Sequence, residues 1–324
     1  MRIAFASCIA TNVFNDQPVW DWIRAQAPDH LILLGDSMYL DIHVEEAGHP
    51  KDMGVDDFAK HAFSRYSELL QQAQFSRLVK SLPTGRVWTT WDDHDCLWND
   101  VLGAVARASP AQAPKLRIST ALHEAFRKTL KKGMAAGSFP NAYNAPSLWK
   151  ENQPPLESPS IKLSNDVMLH LADVRSWRTG TWLIPDDART ILGARQRAGF
   201  DAAMERAPDA IHLFASGSTC ADYKVGYAGD WEWLLGRAAT SKILVLSGDI
   251  HRNESDAFFT TGWPLHEATS SGAAVKYAVT VGETYRNYGL VDIDETHVSF
   301  SFFAENQPEP RYARKLSRAS WLPV

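Results

Sequence analysis

Cysteine is scarce: Cys8, Cys96 and Cys220 are the three in 324 residues. Three widely spaced thiols make no disulfide framework, and a chain this long buries enough surface to fold without one. No run approaches the roughly 18 apolar residues of a membrane span. Residues 1–7 (MRIAFAS) lack the apolar core of a signal peptide and enter directly into a strand-like pattern. The expectation is a cytoplasmic protein with no membrane partner, secreted only if a leader has been removed. An excess of charge of one sign is also missing. Lys and Arg number 33 against 38 Asp and Glu, a net charge of −5. That excludes nucleic-acid binding through a broad basic face but not a local basic pocket. Internal repeats are absent, and a hydrophobic content of 45% excludes a disordered chain.

Short apolar runs alternate with helical patterns. Residues 2–7, 31–35, 86–91, 167–172, 211–215 and 243–248 are β-branched or aromatic and bounded by turn residues, and they read as buried strands. Helix signals cover 19–27 (opened by Asp16 and Pro18), 56–75, 114 to about 132, 188–207 and 230–239. The alternation of 288–293 and 297–303 predicts a hairpin. Strands interleaved with helices imply an α/β layer architecture, with a mixed sheet or two packed sheets favoured over a symmetric barrel. The stretch 138–160, with Pro140, Pro146, Pro154, Pro155 and Pro159, reads as a loop inside one domain spanning 1–324.

Four strand candidates end in clusters of metal-ligand side chains: Ser7-Cys8; Gly35-Asp36-Ser37-Met38-Tyr39-Leu40-Asp41; Asp92-Asp93-His94-Asp95 with Asn99 close behind; and Gly248-Asp249-Ile250-His251. The carboxyl ends of strands in open α/β sheets form one rim where ligands bind. Several carboxylates on one rim repel unless protonated or neutralised by cations. Two or three multivalent ions would resolve that repulsion, generate a nucleophile from bound water and clamp a tetrahedral anion, so phosphate esters are the natural target. A second cluster, Asp173-Val174-Arg175-Ser176-Trp177-Arg178, sets two guanidiniums three residues apart where they could bind phosphate, with Asp173 orienting one of them. Residues 266–272 read as a polar loop. Cys96 and Cys220 read as structural. The 12 Trp, among them Trp20, Trp22, Trp177, Trp182, Trp231 and Trp233, read as core, with a wall for an aromatic or sugar leaving group as the alternative.

These motifs, in this order and across nearly the whole chain, resemble the alkaline phosphatase D (PhoD-like) branch of the calcineurin-like metallophosphoesterases. Also matching are Phe5-Ala6-Ser7-Cys8, Trp91, Asp230-Trp231-Glu232 and Thr269-Ser270-Ser271-Gly272. The resemblance implies a four-layer α/β/β/α sandwich of mixed sheets with its metal site at the strand C-terminal ends. It implies Fe3+ held by Cys8, Tyr39 and Asp36, and Ca2+ held by Asp36, Asp93 and Asp249, with His251 as a ligand or close neighbour; Mn2+, Zn2+ and Mg2+ are the alternative ions. His94 aligns with a substrate-contacting or proton-donating His, Asp95 with its orienting partner, and Arg175 with a phosphate binder. Asp95 stands where the branch carries Glu, and Trp98-Asn99 where it often carries two Asn.

The expected activity is metal-dependent hydrolysis of small-molecule phosphomonoesters and phosphodiesters by a metal-activated hydroxide, with Asn99, Arg178 and Asp173 in secondary roles. The alternatives are a metal-free hydrolase with Cys8 as nucleophile, and a non-catalytic phosphate- or nucleotide-binding protein with a relic metal site.

Overall fold

In the computed structural model the described residues are 1–324 except 43, 45–47, 146–147, 149–152, 276–284, 306 and 308. Twelve strands appear among them: β1 (Arg2–Ala6), β2 (His30–Leu34), β3 (Val87–Thr90), β4 (Ser160–Lys162), β5 (Val167–Leu171), β6 (Ile211–Ser216), β7 (Lys242–Ser247), β8 (Asn253–Phe258), β9 (Leu265–Ser270), β10 (Asn287–Ile293), β11 (His297–Ala304) and β12 (Tyr312–Ser317). They form two six-stranded sheets, ordered β12-β11-β10-β1-β2-β3 and β4-β5-β6-β7-β9-β8. Strands β1, β2 and β3 run parallel, as do β5, β6, β7 and β9, and the flanking strands are antiparallel.

The two-residue period of a strand sorts the apolar side chains into layers. Ile3, Phe5, Ile32 and Leu34 point inward to meet Leu169, Leu213 and Leu246 of the opposing sheet. Their neighbours Ala4, Ala6, Leu31 and Leu33 point outward and pack against Trp20, Phe58, Phe75 and Phe126 on helices. The outer face of the second sheet, with Phe214, Ile243 and Val245, is covered by Phe200 and Leu234 from helices Ala194–Arg206 and Ala228–Thr240. Mixed sheets packed face to face and covered by helices on both sides make the four-layer α/β/β/α sandwich. The parallel strands aim their carboxyl ends at one rim, where backbone bonds join them: Gly272 and Ala273 N–H donate to Ser7 O (3.2 and 2.9 Å), and Gly248 N–H donates to Gly217 O (3.1 Å).

Several boundaries differ from the sequence reading. The helix expected over 56–75 is two, Val55–Gln71 and Ala73–Ser81, because Gln72 turns extended and its side chain accepts from Phe75 N–H. The helix expected from 188 begins at Ala194, after a 3-10 turn at Asp186–Ala188. Asp230 lies inside its helix, and its buried carboxylate accepts from Ile191 and Leu192 N–H, pinning the preceding segment. The loop expected at 266–272 is mostly strand β9, fully buried, whose polar residues are satisfied inside: Glu267 accepts from Cys220 N–H (2.8 Å) and Ser247 Oγ (2.7 Å). Strands β8 and β12 are charge-rich edges and show little apolar pattern. The described residues of the Pro-rich stretch hold no helix or strand before Ser160; Pro146 lies outside the described residues. Among the described residues no helix is long and apolar enough to cross a membrane.

Gly289 on β10 sits against β1, and a Cβ there would stand 2.2 Å from the Phe5 ring. Gly289→Ala is therefore expected to destabilise the fold by about 1–3 kcal/mol through overpacking. Urea unfolding would show a lower midpoint at unchanged slope; an unchanged midpoint would contradict the packing described.

Candidate metal centre

The rim is built by sharp turns at four strand ends. Cys8 (φ 62°), Asp36 (φ 49°), Asp249 (φ 74°) and His251 (φ 55°) all adopt left-handed backbone, which costs a non-glycine residue about 1–2 kcal/mol each. Gly35 (φ 95°) precedes Asp36, and a Cβ there would lie 2.7 Å from Asp92 Cβ. The turns point short side chains into one space. Asp36 belongs to three groups of close ligand atoms: Cys8–Asp36–His251, Asp36–Asp93–His94 and Asp36–Asp92–Asp249, each with atoms within 4.8 Å of one another. Cys8 Sγ lies 3.4 Å from Asp36 Oδ2 and 3.0 Å from Ser271 Oγ. The Tyr39 hydroxyl lies 3.1 Å from His251 Nε2, and its ring stacks on His94 at 4.3 Å.

The electrostatics call for cations. Asp36 is buried, and burial followed by the neighbouring Cys8 pushes its carboxyl well above the usual range. Burial, then Asp92 and Asp93, pushes Asp249 up to about 7, and burial raises the Cys8 thiol to about 11. Within the cluster, Asp36 Oδ1 and Asp92 Oδ2 are buried without a hydrogen-bond partner. Unpartnered buried acceptors beside a thiol, a phenol and an imidazole fit a cation whose coordination would consume those lone pairs. The buried, protonated Cys8 thiol argues against its use as a free nucleophile.

Arg175 supplies fixed positive charge. Only 2% exposed, it bonds Asp92 Oδ1 through Nε and pairs with Asp93 Oδ2 at 3.4 Å, while its Nη1 has no partner. Burial opposes ionisation of Asp93, but Arg175 and His94 outweigh it and hold the carboxyl down to about 2. Both Asp93 oxygens also accept backbone N–H groups, from His94 (2.9 Å) and Asp100 (2.7 Å).

The structure brings Cys8, Asp36, Tyr39, Asp93, His94, Asp249, His251 and Arg175 together and reassigns several supporting residues. Asp95 does not orient His94: its oxygens accept from Met38 N–H (2.9 Å) and Asp92 N–H (3.0 Å), tying two strand-end turns together. Asp41 takes that place, accepting from His94 Nδ1 at 2.6 Å. Burial opposes protonation of His94, yet Asp36 and then Asp41 raise it to about 10. Asp173 orients no guanidinium; its Oδ1 accepts from Trp91 Nε1 (2.7 Å) and from the backbone N–H of Arg175 and Ser176. Arg175 and Arg178 do not form one fork, since Arg178 bonds Ser218 Oγ (2.9 Å) and pairs with Asp222 (3.6 Å). Asn99 is exposed at the edge, its backbone N–H donating to Asp41 Oδ2 at 2.6 Å. The sequence reading places Asp41 and Asp92 in the metal-ligand clusters but assigns neither a role of its own. The available signal was their place beside Tyr39 and Asp93 in the two acid-bearing motifs.

No family model matches the chain, and no curated protein does. Among solved structures it is similar to "Structure of PhoD", with 14% identity and a TM-score of 0.70 over 100% of this chain and 71% of that one. It is also matched to YfcE, a phosphoesterase from E. coli (11% identity, TM-score 0.33, 97% and 98% covered), and to TT1561 of Thermus thermophilus (11%, 0.40, 90% and 93%). Those two scores are too low to carry weight. The first likeness shows the fold: the chain shares the two-sheet α/β/β/α sandwich of that structure.

In chelator-treated protein, Asp95 and Asp249 sit at about 7 against an ordinary 3.8, so the folded state holds protons that the unfolded chain has lost. Their share of the stability is lost as pH rises from about 4 to about 7, and that of His94, raised from 6.5, is lost toward about 10. Buried neutral histidines add a share of opposite sign below about pH 6.5, His30 being held down to about 4 and His170 to about 3. Above that pH they no longer contribute a slope, so melting in chelator is expected at lower temperature at pH 9 than at pH 7, with added multivalent cations restoring it. An unchanged melting temperature between pH 7 and pH 9 would contradict the electrostatics.

Proposed function

We propose that residues 1–324 form one metal-dependent phosphoesterase domain that hydrolyses small-molecule phosphomonoesters and phosphodiesters. The observation that carries this reading is Asp36, shared by three ligand groups and left with an unpartnered buried oxygen. Cys8, Asp36, Tyr39 and His251 would hold an ion such as Fe3+, whose high charge suits anionic thiolate, phenolate and carboxylate donors. Asp36 would bridge to a hard ion such as Ca2+ on Asp249, Asp92 and Asp93. Bound ions supply charge to the phosphoryl oxygens and acidify the attacking water.

The chain's own groups do the rest. His94 donates its Nδ1 proton to Asp41, which leaves Nε2–H to protonate the departing alcohol oxygen. The ion pair with Asp41, which is no part of the candidate metal-ligand set, favours the charged form of His94. Arg175 anchors Asp92 and Asp93 and adds positive charge behind the phosphoryl oxygens.

Elemental analysis of the protein as purified should find iron with a second metal. Asp36→Asn and Asp249→Asn should each lower hydrolysis of bis(p-nitrophenyl) phosphate by ~10–100-fold or more, with parallel loss of metal. Full, chelator-resistant activity in both would end this reading. Asp41→Asn should cut kcat by ~10–100-fold with KM held, and should move the alkaline limb of the pH profile to lower pH, since it removes a charge that keeps His94 protonated. An unmoved limb would remove Asp41 from that role.

A further inference from the structure

Beside the metal cluster the rim continues into an apolar surface made by three segments. Past Arg175 the chain turns, Arg178 N–H donating to Arg175 O at 3.2 Å, and makes an excursion closed at its neck. Thr179 N–H donates to Thr190 O (2.9 Å), and Thr190 N–H donates to Thr179 Oγ1 (3.0 Å). Arg189 braces the inside through Ile184 O (2.8 Å) and Asp186 (2.6 Å). Trp182 and Leu183 stand at the tip, 84% and 82% exposed, and Leu183 is held in left-handed backbone (φ 59°). This corrects the reading of Trp182 as core.

Two helices flank the loop with further exposed apolar side chains. Val225, 86% exposed, ends helix Cys220–Gly226, where a Cβ on Gly226 would stand 3.2 Å from the Thr181 methyl carbon. Val105, 59% exposed, lies on helix Gly103–Ala108, tied to the neck by Ala104 N–H donating to Arg178 O (3.2 Å). The surface is continuous with the metal cluster. Arg178, at the neck, pairs with Asp222, which lies one helical turn before Val225. Arg178 also donates to Ser218 Oγ (2.9 Å), and the adjoining Gly217 packs on Asp92, where a Cβ would stand 2.8 Å from Asp92 Cβ, and accepts from Gly248 N–H beside Asp249 (3.1 Å). An ester whose phosphorus sits at Asp36, Asp92 and Asp249 can therefore lay its organic group along this side of the rim. Adjacent exposed apolar side chains on a braced, strained loop mark a binding surface.

We propose that the loop 179–190, together with Val105 and Val225, is the subsite for the organic group of the ester, and that the site selects phosphoesters carrying a large apolar group. This rests on the phosphoesterase reading. A series of p-nitrophenyl alkyl phosphodiesters from methyl to octyl keeps the p-nitrophenolate leaving group constant while the apolar group grows. The native protein should show kcat/KM rising along the series by on the order of tenfold or more, carried by KM. Trp182→Ser with Val225→Ser should flatten the series without changing the rate on the methyl ester, and Trp182→Phe should keep the slope. A flat native series, an unchanged slope in the double variant, or a Trp182→Phe variant as flat as the serine form would each overturn the subsite. The slope appearing below the esters' aggregation concentration assigns free esters as its source. The slope appearing only in phosphatidylcholine vesicles assigns a lipid surface; both support the subsite. If the metal-replete protein cleaves no ester of the series, the phosphoesterase reading fails. Calorimetry then decides the subsite alone: octyl phosphate binding more tightly than methyl phosphate, a preference lost in the double variant, supports it, and equal binding overturns it.

Discussion

Mutual repulsion among Asp36, Asp92, Asp93 and Asp249 is the constraint around which the rim is arranged. One guanidinium, Arg175, is packed against two of them and draws Asp93 into full ionisation. Asp36 and Asp249 are left with proton affinities raised chiefly by burial. Such a cluster has two low-energy conditions, protonated or bound to cations, and the second leaves the short side chains where the backbone has put them. The sandwich brings the strand ends together, and bound cations would make the convergence tolerable.

The buried acids of this molecule divide by what their oxygens do. Both oxygens of Asp95 accept backbone N–H groups, and Glu267 accepts from a backbone N–H and a serine hydroxyl. These are fasteners between strand-end turns. Asp36 and Asp92 each keep a buried oxygen without a hydrogen-bond partner, as Asp173 and Asp230 also do, and those of Asp36 and Asp92 stand among close ligand atoms from Cys8, His251 and Asp249. Residue type alone does not separate these classes. Asp92, Asp93 and Asp95 are three acids within four residues, yet Asp95 closes a turn, Asp93 accepts one backbone N–H on each oxygen beside Arg175, and Asp92 keeps an oxygen without a hydrogen-bond partner.

That division explains what was legible in the sequence. The strands of the two parallel blocks were readable because burial on both faces demands continuous apolar runs, as in β2 and β6. Strands β8, β9 and β12 were not: two are charged edges, and the third carries polar residues satisfied by distant partners. The convergence of Cys8, Asp36, Asp93 and Asp249 was readable from strand-end position. Orientation was not, since it depends on which acid reaches which histidine across 53 positions, and Asp41 reaches His94 where the adjacent Asp95 does not. The exposure of Trp182 was equally hidden, because a tryptophan in a turn-rich segment carries no periodic pattern to place it.

The left-handed turns at Cys8, Asp36, Asp249 and His251 have a consequence for how this site would age. At each of these positions glycine would be more comfortable than the residue present, so backbone strain alone pushes toward losing the side chains that make the centre. A lineage released from the need for chemistry would drift there first, gaining stability with every loss.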